Sequence, residues 1–298
     1  IVFRNNLKAA VSLVPLSGPL VPLKEVEALN DKQRQFVAAG ERRRLHGAHG
    51  GPDNFNHEEQ TIYDGDRKPF EVCPGGEIKM TIPVTTDAGP LPDEDKDSGD
   101  GGSSSSNEQS TAIYLYGSDV DSVRDLNSGL IGTILIYNEK HAGRKDQLPK
   151  GIHREMITLF TTFDENLSRY IKMNALKYAK EGETINFLDP DFKESNRMRS
   201  INGFMYCNTP SPEIKQHKRV RWYQIVLGSS DAVHAPTISG LTSGAGSEMT
   251  IIGPGMTHIK DFTADNYGKW LLHDAVVDQT SQGMSMLVDI TEVLHPGA

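Results

Sequence analysis

The residues of this chain that could do chemistry are scattered, and their spacing excludes more reactions than it supports. His46-Gly47-Ala48-His49, with His57 nearby, puts two imidazoles three residues apart in a glycine-rich run. Such a pair can chelate a divalent cation, but a preorganised site needs a fixed backbone, which this run does not supply. We read it as a surface loop with incidental histidines. Ser239-Gly240 and Ser243-Gly244 lack the G-x-S-x-G frame that lifts a nucleophilic serine on a strained turn. Asp164 and Glu165 are adjacent, and neighbours on a strand face opposite sides, so they do not form a paired-carboxylate site. No G-x-x-x-x-G-K-[ST] loop occurs to cradle a phosphate.

Strand signals dominate the regular parts of the chain. Glu77 to Val84 alternates apolar and polar residues with period two, as a half-buried strand should. Leu130 to Tyr137 is apolar enough for a buried sandwich strand, and Val220 to Leu227 and Met284 to Val293 are β-rich with mixed faces. Short runs of this kind between Gly, Pro and Asn turns predict an all-β fold, Greek-key sandwiches rather than α/β layers. A boundary is expected near Glu139 to Lys150, giving domains over 1–140 and 150–298. Two inserts interrupt the first. In 24–60, Asn30 and Gln33 form a capping box for a short helix that Gly40 stops, and Arg42-Arg43-Arg44 reads as a solvated turn. In 87–110 the chain is acidic and then Gly/Ser-rich, which predicts a mobile loop without the ligand spacing of a defined calcium site. Leu167, Tyr170, Ile171, Ala175 and Tyr178 recur at helical spacing and predict a helix leaning on the sandwich, a stripe we read as core packing.

Composition sets limits. A net charge of −9 over 298 residues repels a phosphate backbone, so nucleic acid is not an expected partner. No apolar run approaches a membrane span, and no signal segment opens the chain. Cys73 and Cys207, the two cysteines, do not by number decide between a bridge and two partly buried thiols. Asn166-Leu167-Ser168 is the one N-x-[ST] sequon, a glycosylation site if the chain passes the secretory pathway.

Several longer motifs point to a family. Ile1 to Asn6 (IVFRNN), Val120 to Gly132 (VDSVRDLNSGLIG), Phe160 to Tyr170 (FTTFDENLSRY), Phe192 to Asn208 (FKESNRMRSINGFMYCN) and Trp270 to Met284 (WLLHDAVVDQTSQGM) follow in this order. Together they resemble the ceruloplasmin, hephaestin and coagulation factor V/VIII type of multicopper-oxidase repeat, a pair of cupredoxin domains. Arg169 stands where the family motif has tryptophan. The resemblance implies strands before Ile1, hence a segment of a longer polypeptide. It also implies that a common family disulfide, which would join about Thr111 to about Tyr137, is gone.

The same resemblance assigns ligand positions. The last motif runs W-L-L-H-C-H-V-x-D-H-x-x-x-G-M in copper-binding members. Here Asp274 takes the place of the cysteine, Ala275 of the second histidine and Gln279 of the last histidine, while His273 and Met284 remain. His234 remains at the first blue-copper position, with Thr237 and Ser239 replacing two cluster histidines. In the first domain Val14, Leu16, Gly117 and Asp119 occupy the other histidine positions. A blue copper site needs a thiolate with two imidazoles, and aliphatic side chains do not coordinate copper. A trinuclear cluster is therefore excluded, and no cofactor is expected. His234, Asp274, Gln279 and Met284, placed together by the resemblance, offer a nitrogen, a carboxylate, an amide and a thioether to copper or another divalent ion. His273 would be an orphan cluster ligand. The reading we adopt is a hydrogen-bonded polar plug of His234 and Asp274 in a sandwich core.

The resemblance implies a copper-free structural or protein-interaction module in an extracellular or secreted assembly, its partners being other repeats or chains. The rival expectation is a non-catalytic repeat of an active multicopper ferroxidase whose copper sites lie elsewhere.

Overall fold

Period-two alternation and turn chemistry set the architecture. The computed structural model describes residues 1–16, 19–20, 22–24, 70–90, 111–138, 148–180, 184–228, 233–241, 248–276 and 280–292. The helix expected after Asn30, the histidines 46, 49 and 57, and most of both inserts lie outside these residues, as do 139–147 of the expected boundary. The described strands make an all-β sandwich fold of four sheets, with only short helices.

Residues 1–137 contribute strands β1 (Val2–Arg4), β2 (Val14–Pro15), β3 (Leu23–Lys24), β4 (Glu77–Thr81), β5 (Thr111–Gly117) and β6 (Ile131–Tyr137). They pair as two three-stranded sheets, β1-β4-β3 and β2-β5-β6. The strand expected over Glu77 to Val84 stops at Thr81, ahead of Pro83, whose missing N–H cannot continue a ladder. Helix α1 (Ser122–Asn127) is capped by Asp121, whose side chain accepts from Arg124 N.

Residues 154–291 contribute β7 (Arg154–Asp164), β8 (Arg197–Ile201), β9 (Glu213–Lys215), β10 (Arg219–Val226), β11 (Pro236–Ile238), β12 (Thr257–Thr263), β13 (Gly268–Asp274) and β14 (Ser285–Thr291). Their sheets run β12-β10-β7-β8 and β11-β13-β14-β9, antiparallel except for β10 with β7 and β14 with β9. Phe160, Trp222 and Val226 from the first sheet pack with Leu272, Met286, Val288 and Ile290 from the second. Each such side chain removed from water contributes about 1.5–3 kcal/mol. Gly240 is required here: a Cβ on it would lie 1.9 Å from Trp270 Cδ2, so the indole lies flat on bare backbone.

Strand β10 is buried on both faces. Val220, Trp222 and Val226 face the core, while Arg221, Tyr223 and Ile225 on the opposite face are no more than 2% exposed. On that outer face Arg221 meets Thr111 of β5, and Tyr223 shares Glu155 with Tyr137 of β6.

Two expectations need correction. β6 is half-buried rather than buried, with only Ile136 fully inside, because it is the edge of its sheet. The helical stripe is real as helix α2 (Ile171–Tyr178), but it is not core packing: Leu167 is 46% exposed and Tyr178 72%. Of the residues of α2 only Ile171, Asn174 and Ala175 are partly covered. A further short helix, α3 (Pro190–Ser195), starts from the Asp189 cap.

Candidate metal centre

Strand register decides which of the implied ligand positions meet. β11 runs antiparallel to β13, with Pro236 opposite Asp274 and Thr237 opposite His273. His234, just before β11, is fixed by a two-way backbone bridge to Ile252 at 2.9 and 2.8 Å. This brings His234 Nδ1 to 2.5 Å from Asp274 Oδ2. The other carboxyl oxygen, Oδ1, accepts from Ala235 N at 2.8 Å and Val276 N at 3.0 Å. Both side chains are buried, Asp274 completely. Phe160 closes one side of the imidazole, with ring centroids 6.1 Å apart.

The other candidates are placed as follows. His273, next to Asp274 on β13, is half-buried, and its Nδ1 lies 3.1 Å from the Asp274 carbonyl oxygen and 3.5 Å from Thr280 Oγ1. Met284 is fully buried in the apolar core with Trp222 and Leu272. Gln279 lies outside the described residues. Ser239 is exposed and hydrogen-bonds the Leu271 backbone. In the first sheets Val14 is opposite Gly117. Leu16 Cδ1 lies 3.0 Å from where a Gly117 Cβ would stand, so this pair meets as an apolar contact. Asp119 Oδ1 accepts from Ser12 Oγ at 2.5 Å. Among the described residues no group of three or more His, Cys, Asp and Glu could hold a metal ion.

Asn166 is engaged on both sides of its amide. Nδ2 donates to Asp164 Oδ1 at 2.7 Å and Lys193 O at 2.8 Å, and Oδ1 accepts from Asn196 at 3.2 Å. Ser168 of the sequon is buried. Cys73 and Cys207 are free, half-buried thiols.

Comparison with known proteins gives the chain its place. It is 34% identical over 181 residues to the ferroxidase HEPHL1 of Homo sapiens, covering 60% of this chain and 16% of that protein. Human hephaestin matches at 32% over 204 residues, 64% of this chain and 17% of hephaestin. Human ceruloplasmin matches at 28% over 246 residues, 80% of this chain and 22% of ceruloplasmin. These similarities support a relationship to the multicopper oxidases and their cupredoxin domains. It spans less than a quarter of the length of these relatives. No family model matches it. A solved multicopper oxidase aligns over 98% of this chain and 74% of its own, with a TM-score of 0.49 and 15% identity.

The donors present do not fit the family's copper. The motif resemblance sets Asp274 where copper-binding members carry a thiolate, and here its carboxyl oxygens already face one imidazole and two backbone amides. An aspartate so engaged is a hydrogen-bonded core group, and a hard oxygen donor is a poor substitute for soft sulfur at copper.

Sequence reading missed the polar groups that join the two halves. Arg221 donates to Asp261 through Nε and Nη2, each at 2.8 Å, and to Thr111 Oγ1 through Nη1 at 3.0 Å. Tyr137 and Tyr223 both donate to Glu155, the former at 2.9 Å. Burial first, then the bond to Glu155, raises both phenols well above the usual tyrosine range. Asp125, 1% exposed, accepts from Arg169 Nε. The one legible signal was Arg169 in a motif position that carries tryptophan elsewhere in the family.

Proposed function

We propose that this chain is a copper-free member of its family, a rigid β platform serving a structural or protein-interaction role within a larger extracellular assembly. One observation supports the reading: Asp274, which the motif resemblance sets at the blue-copper thiolate position, has its oxygens turned to His234, Ala235 and Val276. The partners are then other repeats or chains of the parent protein. The relatives it matches are several times longer than this chain. No described helix is long and apolar enough to cross a membrane. Cupric titration followed by desalting and metal analysis tests the proposal. Sub-stoichiometric copper and no blue absorption are expected. Stoichiometric copper that is lost in His234→Ala, or oxidation of ferrous iron with uptake of dioxygen, overturns it.

A second reading has an observation of its own. The similarity to a protein named as a ferroxidase extends over 60% of this chain but 16% of that protein. This chain would then be the non-catalytic repeat of an active oxidase. Flanking sequence with an H-C-H-V-x-D-H motif supports that reading, and a full open reading frame without one excludes it.

A further inference from the structure

The two halves are pinned together at both ends of one seam and stand apart in the middle. At one end Tyr137, the last residue of β6, donates to Glu155 on β7 at 2.9 Å. At the other, Asp164 N donates to Asn127 Oδ1 at 2.8 Å and Arg169 N to Ser128 Oγ at 3.0 Å. Between these pins β6 and β7 part to leave a cleft of about 380 Å³, within the usual size of a small-ligand site. Its walls are apolar, with Ile131 on one side and Ile157, Leu159, Phe163 and Met198 on the other. Ile157 is 39% exposed, so the apolar wall is open to solvent. Gly132 lines it as bare backbone because the Tyr116 ring already lies where a Cβ would be, 2.2 Å away.

Most polar groups of the lining are taken. Asn202 donates to Ile157 O at 3.0 Å and accepts from Leu159 N at 2.8 Å, acting as a stand-in strand along the β7 edge. Asn127 donates to Val123 O and accepts from Asp164 N. Ser128 Oγ donates to Arg124 O at 2.6 Å. Among the described residues of the lining Glu165 is the one ionisable residue, and none is basic. Burial, and less so Asp164 beside it, makes the charged carboxylate unfavourable there, a debt that a cation would relieve; the Ser168 hydroxyl only partly offsets it.

We propose that this cleft binds a small, flat, apolar molecule carrying one cationic nitrogen, the apolar body against Ile157, Leu159 and Phe163 and the cation on Glu165. The proposal is independent of copper and of any parent assembly. Tryptamine is a suitable probe, with tryptophol as its neutral analogue and indole-3-propionate as its anionic one, titrated calorimetrically into the whole chain. Saturable 1:1 binding of tryptamine is expected, at least tenfold tighter than tryptophol, with no binding of the propionate. Glu165→Gln should erase the tenfold preference, and Ile157→Trp, which fills the cleft, should abolish tryptamine binding. Unchanged thermal unfolding of both variants assigns these losses to the cleft. Absence of saturable tryptamine binding, equal affinity for tryptophol, or undiminished binding to Ile157→Trp overturns the proposal.

Discussion

Arg221 Nη1 donates to Thr111 Oγ1 at 3.0 Å, across 110 positions of sequence, and so fastens the first half of the chain to the outer face of β10. The guanidinium is 2% exposed and also holds Asp261 through two nitrogens. Breaking a buried pair by removing one partner typically costs about 3–5 kcal/mol. Arg221→Met should fall at the low end, about 3 kcal/mol, because Arg219 still reaches Asp261 at 3.3 Å. Thr111→Val removes one acceptor and should cost roughly 1–3 kcal/mol. Urea unfolding followed by tryptophan fluorescence measures both.

Asp125 and Arg169 form the second fastening, between α1 and the turn after β7. Arg169→Met should destabilise by about 3–5 kcal/mol, since it strands a carboxylate that is 1% exposed. Asp125→Leu combined with Arg169→Met should recover a good part of that loss. A double-mutant cycle that shows simple additivity would disprove the coupling.

The phenols of Tyr137 and Tyr223 set an alkaline limit. In the folded chain both titrate above their unfolded value of 10.0, so the neutral phenols favour the fold. That contribution is complete below pH 10.0 and is lost as pH climbs through the raised folded values. Of the nine tyrosines, these two should stay protonated after ordinary ones have ionised, and then ionise together with unfolding. Phenolate absorbance against pH shows this. Glu155→Gln, which takes away the shared carboxylate, should bring both titrations down.

The plug itself can be weighed. Asp274→Ala leaves His234 Nδ1 and the amides of Ala235 and Val276 without their acceptor in the core. At about 1–3 kcal/mol for each buried group left unsatisfied, a loss near 3 kcal/mol or more is expected. Asp274→Asn keeps one acceptor oxygen for the two amides and should cost distinctly less. Equal losses in the two variants, by chemical denaturation, would mean that packing rather than hydrogen bonding holds the site.

What the sequence made legible follows from local pattern. The alternation around Glu77 and the β-rich run at Val220 fix strand positions within a few residues, because side-chain period depends on neighbours alone. The order of motifs located Asp274 and His234, and register then explained their meeting. Arg221 was hidden by the same rule. On a strand reading R-V-R-W-Y-Q, a charged residue two places from another looks like a solvent face. Its partner Thr111 lies on another sheet, and no local pattern announces a bond that arrives from 110 positions away. The exposed stripe of α2 failed in reverse: helical spacing gives a face, but only tertiary structure gives that face something to rest on.

Thr111 and Tyr137 stand directly opposite each other on β5 and β6. Neither side chain braces this ladder; both reach outward, one to Arg221 and the other to Glu155. The reinforcement lies at the join between layers rather than within a single one. With both cysteines free, a reductant finds no bond to cut, and strong alkali, which deprotonates the phenol, becomes the agent that loosens the join.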